Sequence, residues 1–230
     1  MKTIWTAVMM AVMMIITDQA VAQIDCSLGG GISNVGNTVH ADCKIVGTRI
    51  GVAMFGTQGS SSGTLDVSTA DDGFWFAQTS TYAMETQTRI IGLALKIDVL
   101  PKVTADIGLD FEQITSAAIL KDTAVYSNGT KQPYVVKSLV EVNNVSPTIG
   151  VTYRTPIMTG SKIIFTVSGH YSFGRSGMRS ESTTENGLSP PDLQGVRHAI
   201  PGPRESQHAL RNEVGGRDKY VVLAVLSWKF

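Results

Sequence analysis

Tyr220-Val221-Val222-Leu223-Ala224-Val225-Leu226-Ser227-Trp228-Lys229-Phe230 closes this sequence. Every second residue back from Phe230 is Trp228, Leu226, Ala224, Val222 and Tyr220, a single apolar face with an aromatic at each end. The period is 2, that of a strand and not of a helix. A membrane-spanning β-strand has this form, because its outer face meets lipid and its ends sit at the two interfaces. An edge strand buried in a soluble β-protein is the other reading of this stretch taken alone.

The alternation recurs along the chain. In Val103 to Glu112, residues Val103, Ala105, Ile107, Leu109 and Phe111 oppose Thr104, Asp106, Gly108, Asp110 and Glu112. In Lys162 to Phe173, residues Ile163, Phe165, Val167, Gly169, Tyr171 and Phe173 oppose Lys162, Ile164, Thr166, Ser168, His170 and Ser172. Ile91 to Val99 and Pro147 to Arg154 repeat the pattern. These runs approach the roughly 9–11 residues that a tilted strand needs to cross a bilayer. Their polar faces mix small, hydroxyl and charged residues, which suits the lumen of a narrow barrel.

The terminal strand resembles the carboxyl-terminal assembly signal of bacterial outer-membrane β-barrel proteins, on Tyr220, Val222, Leu226, Trp228 and Phe230. In that family the terminal Phe and the alternate residues before it are read by the barrel-assembly machinery. The resemblance implies that machinery as a partner, with outer-membrane lipid and lipopolysaccharide as surroundings. In architecture the chain resembles the small eight-stranded barrels of the OmpA transmembrane-domain or OmpX type. That implies a porin-like cell-envelope protein whose extracellular loops carry its contacts, with a possible extracellular ligand.

The other end of the chain agrees with export. Lys2 precedes the apolar run Ile4 to Ile16, and Ala20-Val21-Ala22 is a small-residue cleavage pattern. This is the layout of a secretory signal peptide spanning 1–22, which leaves a single domain at 23–230. The apolar run is short of the about 20 residues of a membrane helix, and no later stretch approaches that length. Within a bilayer the mature chain must therefore form a closed barrel, since lipid cannot satisfy an open sheet edge. The 19 basic and 19 acidic residues balance, so no broad basic surface for nucleic acid exists.

Cys26 and Cys43 are the two cysteines, and in an exported chain an even pair reads as a disulfide. A metal site from Cys26, His40 and Cys43 has too few ligands and an unsuitable spacing. No cofactor motif appears. Gly29-Gly30-Gly31 lacks the strand–loop–helix setting of a phosphate loop, His198 and His208 are isolated, and Asn128-Gly129-Thr130 reads as a turn at a loop tip.

Six strands are clear at 44–55, 86–99, 102–113, 136–154, 162–173 and 219–230. Adding 31–41 and 74–84 makes an antiparallel up-and-down barrel of eight, an all-β fold. Short connections at 100–102 and 155–161 alternate with long polar loops near 113–134 and 175–218. Asn143-Asn144 interrupts the alternation and suggests a bulge.

In an eight-stranded barrel side chains fill the interior. Arg49, Lys96, Asp98, Asp106, Asp110, Glu112, Arg154, Lys162 and His170 are the expected lumen network, since buried charges need partners. Ser168, His170 and Ser172 share one face, with Asp110 or Glu112 as an orienting acid on the neighbouring strand. The alternation points that trio inward, away from a lipid substrate. The expectation is thus a non-enzymatic structural or surface-interaction barrel. A lipid-modifying enzyme centred on His170 and a secreted soluble β-sandwich that binds a partner are the alternatives.

Overall fold

The computed structural model describes residues 24–68, 79–125, 131–173, 178–185, 203–216 and 220–230. The segment read as a signal peptide lies outside the described residues. The strands are β1 (Ile24–Ser33), β2 (Asn37–Ile45), β3 (Ile50–Ser68), β4 (Thr79–Leu100), β5 (Val103–Val125), β6 (Lys131–Pro156), β7 (Ile163–Ser172), β8 (Met178–Glu185) and β9 (Tyr220–Lys229). Among the described residues one helix, α1 (Pro203–Gly216), lies between β8 and β9. Every pairing is antiparallel. β9 pairs with both β1 and β7, and β5 pairs with β6, so the sheet closes on itself. β7 and β8 pair with successive stretches of β6 and together make one stave. The result is an eight-stranded up-and-down barrel. A β-sandwich, the soluble alternative, is excluded by this closure and by the polar interior.

Short turns mark one end of the barrel. Pro101 and Lys102 connect β4 to β5, with Lys102 at φ 72°, and a register shift between Asp98 and Leu100 leads into this turn. Ile24 and Phe230 lie at the same end, where the Phe230 amide donates to the Cys26 carbonyl. At the opposite end β3 to β6 run on well past the ends of β1, β2 and β9. At 19 to 26 residues they are about twice as long as the roughly 9–11 residues that cross a bilayer, or more.

In the extension the alternation continues, but with the opposite face apolar. In the lower part of β5, Ile107, Leu109 and Phe111 point out and are exposed, while Asp106 and Asp110 point in and are buried. Above Gln113 the apolar residues change sides: Ile114, Ala118 and Leu120 point in and are buried. β6 changes in the same way. Val145, Ile149, Val151 and Tyr153 are exposed below, and Val136, Val140 and Val142 are buried above. At Asn143-Asn144 the register runs on without a shift (Gln113↔Asn143, Glu112↔Asn144), so there is no bulge. The apolar set moves to the inner face there because the extension keeps its own core inside and meets water outside.

The expected loop at 113–134 is therefore strand to Val125 and again from Lys131. The expected loop at 175–218 contains β8 and α1. The strand expected at 74–84 is no separate stave: from Thr79 it is the upper part of β4, and the rest lies outside the described residues. The strand expected at 31–41 is split by the turn at Asn34–Gly36, with β1 starting at Ile24. The count of eight survives with different boundaries.

α1 fills the inner face of the extension. Leu210 and Val214, one helical turn apart, are fully buried against Leu65, Val67, Tyr82, Met84, Ile114, Ala118, Leu120, Val136, Val140 and Val142. The buried hydroxyls of Ser206 and Ser138 meet at 2.5 Å and tie the helix to β6. Leu210→Ala is expected to cost this docking about 2–5 kcal/mol. Hydrogen exchange would read it as faster exchange in α1, with β1, β2 and β9 unchanged.

Candidate functional site: the barrel lumen

The inward faces of the lower strands hold the chemistry. At the short-turn end, Lys44 pairs with Asp98, and Lys229 pairs with Asp25 at 2.6 Å. Deeper in, Asp42 on β2 accepts from Lys96 Nζ on β4 at 2.8 Å and from Arg154 Nη1 on β6 at 2.9 Å. Asp42 and Lys96 are 2% and 3% exposed, so each depends on the other for neutralisation. Arg154 Nη2 reaches Ser27 Oγ at 3.5 Å.

A second set lies on β5, β6 and β7. Asp106 accepts from Thr104 at 3.0 Å and from Thr152 at 2.5 Å, and Thr152 Oγ1 lies 2.8 Å from Ser168 Oγ. His170 Nε2 faces Asp106 Oδ2 at 3.9 Å, and its ring packs 5.0 Å from that of Phe55. Ser172 donates to Asp110 at 2.8 Å. Two of the inward glycines make room for this packing. A Cβ at Gly92 would sit 2.1 Å from the Phe55 ring and 2.8 Å from Asp110 Oδ1, and one at Gly150 would sit 2.8 Å from His170 Nδ1. Gly92→Ala therefore overpacks the lumen. It is expected to cost about 1–3 kcal/mol, read as a lower urea midpoint of the assembled barrel.

Toward the extension the lumen turns apolar. Phe55, Ile90, Val221, Leu223 and Val225 form a buried cluster, with Val35 of the β1–β2 turn packed on it. β9 thus presents apolar residues on both faces: Val221, Leu223 and Val225 inward, and Val222, Leu226 and Trp228 outward. The interior is charged at the short-turn end, closed by side chains in the middle and capped by the α1 core.

Of the expected lumen residues, the fold brings together Lys96, Asp106, Arg154 and His170, with Asp110 bound to Ser172. Glu112 is half-buried on the inward face, and Asp98 sits at the rim. Arg49 and Lys162 do not belong to the lumen. Both lie beside the short turns, where hydration makes pairing unnecessary. Asp42, His40, Ser27 and Thr152 are additional members. Asp42 falls between two expected strands in sequence, and only the continuous alternation of β2 through Cys43 turns it inward. Cys26 and Cys43 are direct register partners on β1 and β2 and are joined by a disulfide. They are therefore unavailable as metal ligands.

The expected trio is dispersed among other partners. Ser168 contacts Thr152, Ser172 contacts Asp110, and His170 faces Asp106. β6 lies between β5 and β7, so neither Asp110 nor Glu112 is on a strand neighbouring His170. Among the described residues no group of three or more His, Cys, Asp or Glu is arranged to hold a metal.

Outside, the lower barrel carries an apolar belt. Leu28, Val39, Val52, Leu93, Leu95, Ile107, Leu109, Ile149, Val151 and Leu226 are all exposed on it. Tyr153, Trp228 and Phe230 lie toward its short-turn edge, and Phe111, Tyr171, Phe173 and Tyr220 toward the other. Among the described residues no helix is long and apolar enough to cross a membrane.

No protein-family model matches the chain, and no curated protein matches it. Solved structures are similar. The chain is similar to CarO2 of Acinetobacter baumannii at 10% identity and a TM-score of 0.52, over 91% of this chain and 100% of that one. It also matches a major outer membrane protein from Thermus thermophilus at 13% identity and a TM-score of 0.49, over 91% and 100%. The likeness to CarO2 is one of fold, that of a small barrel, and not specifically the OmpA or OmpX type.

Proposed function

We propose that this chain is an integral outer-membrane barrel with a structural or surface-interaction role, and that it is not an enzyme. The observation that carries this reading is the change of side of the apolar residues near Gln113 and Asn143. Below it, large apolar side chains face outward around a polar interior; above it they face inward. Water would penalise the lower arrangement, whereas hydrocarbon favours it. The short-turn end then faces the periplasm, and the α1-capped extension stands outside as the contact surface. A disulfide between β1 and β2 fits an exported chain. Lipid, lipopolysaccharide and the barrel-assembly machinery are the partners on this reading.

The lumen network serves the barrel itself: it neutralises buried charge and locks the register of strands far apart in sequence. The non-enzymatic reading is preferred to a His170-centred hydrolase because Asp106, the carboxylate that faces His170, lies inside the barrel and Ser168 and Ser172 have other partners.

The test is fractionation with heat-modifiable migration. The protein is expected in the outer-membrane fraction, extractable only with detergent, with an unboiled band distinct from the boiled one. Full solubility without detergent sinks the membrane reading. The lipid A acylation profile is expected to be unchanged by overexpression of wild type or His170→Ala. A new acylation product that His170→Ala abolishes would reverse the non-enzymatic reading.

A further inference from the structure

One register row crosses the outer face of the barrel at the upper edge of the apolar belt. Val39, Gly56, Ile91, Phe111 and Val145 are register neighbours on β2 to β6. Two residues higher, the outward row is Asn37, Gln58, Arg89, Gln113 and Asn143. The surface thus passes from hydrocarbon side chains to four amides and one guanidinium within about 7 Å of strand rise.

β2 ends in this row while β3 and β4 continue upward, which leaves a notch. It is an open cavity of about 620 Å³ lined by Val35, Gly36, Asn37, Gln58, Gly59, Ser60 and Gln87. Its size falls within the roughly 300–1,000 Å³ of small-molecule sites. Its floor is held firmly. Gly36 and Gly59 pack so closely that a Cβ on Gly59 would lie 1.6 Å from the Val35 carbonyl oxygen, and one on Gly36 would lie 2.3 Å from that of Gln58. Among the described residues the lining contains no carboxylate and no large aromatic. Asn37, Gln58 and Gln87 offer both amide donors and acceptors, and Ser60 adds a hydroxyl. Arg89 is the direct register neighbour of Gln58 on the same outward face.

We infer that this notch binds the phosphate-bearing saccharide headgroup of an outer-leaflet glycolipid. The inference rests on the membrane reading above, because that reading puts the notch at headgroup depth. Paired donors and acceptors match sugar hydroxyls, the guanidinium beside them matches a phosphate, and the apolar belt below receives the acyl chains. The contact anchors the barrel in its leaflet and orients the extension above it.

The experiment uses the full mature chain, purified in detergent, and native mass spectrometry. The probes are lipopolysaccharide truncated to its phosphorylated inner core, its dephosphorylated form, the same phosphorylated saccharide with its acyl chains removed, and phosphatidylglycerol. Heat-modifiable migration is recorded on every sample, so a failed barrel is distinguished from a failed site. Wild type is expected to retain one truncated lipopolysaccharide molecule in preference to phosphatidylglycerol. Gln58→Ala with Gln87→Ala is expected to weaken that binding about tenfold, with unchanged heat-modifiability. Arg89→Gln is expected to lower the preference for the phosphorylated over a dephosphorylated form. Equal binding by wild type and the double variant overturns the proposal. Equal affinity for the acyl-free saccharide overturns its assignment to a membrane lipid. Retention of a copurified peptide in place of the glycolipid, removed by the same double variant, overturns it in favour of strand addition along β3 above the end of β2.

Discussion

Asp42→Asn is expected to cost the barrel about 3–5 kcal/mol. The substitution removes the acid shared by Lys96 and Arg154 while leaving their positive charges in place. Arg154 has a side chain 23% exposed and can rehydrate in part, whereas that of Lys96, at 3%, cannot. Most of the loss is therefore the penalty on an orphaned ammonium. Lys96→Met in the Asp42→Asn background is expected to recover much of it, since a buried pair replaced by groups of similar volume is often close to neutral. Urea unfolding of liposome-reconstituted protein, followed by tryptophan fluorescence, measures the two single variants and the double. The excess of the summed single effects over the double is the coupling energy. Additive losses from the two substitutions would mean that Asp42 and Lys96 do not act as a pair.

Ile107→Arg is expected to cost about 2–4 kcal/mol, because Ile107 lies at the middle of the outward apolar run of β5. Its register neighbours are Leu95 and Ile149, both outward and exposed. Ile107 is itself 57% exposed, and in a water-soluble protein a substitution at such a site changes stability by no more than about 0.5 kcal/mol. The sign and size thus report the solvent outside the belt, lipid or water, and not packing within the protein. The same unfolding assay applies. A loss below that small range would mean that this face does not meet hydrocarbon. Thr115→Arg, on the outward face of the same strand but above the belt, is the control and is expected to be nearly silent.

The belt was legible because it is written locally. A strand exposes alternate residues to opposite faces, so Val103 to Phe111 and Tyr220 to Phe230 declare their period and their apolar side without reference to the rest of the chain. The stretch above Gln113 was instead expected as a long polar loop, because the local pattern does not show which face of it touches a core. The rule that apolar means outward holds only within the belt, and the stretch from Ile114 to Leu120 reverses it. Asn143-Asn144 was detected as an irregularity, but its meaning, a change of environment with an unbroken register, depends on what each face touches. α1 was missed because its buried side is carried mainly by Leu210 and Val214, set among Arg, Glu, Asn and Gly. Such a segment gains most of its stability from the surface it docks on.

The lumen was half legible. Alternation alone selected Lys96, Asp106, Arg154 and His170 as inward residues, yet it could not name their partners. Arg49 and Lys162 were included although both sit at turns, where the alternation ends and water replaces the lumen.

By itself the amino-acid order determined the strand period and the apolar face that meets the surroundings, because these follow from neighbours along the backbone. Only the closed barrel decided that Asp42 meets Arg154 across 112 residues, that Ser168 and His170 take separate partners, and that a helix caps the interior. Those contacts depend on the register of strands remote in sequence. Pairing geometry around the whole cylinder sets that register, and no single stretch of the chain contains it.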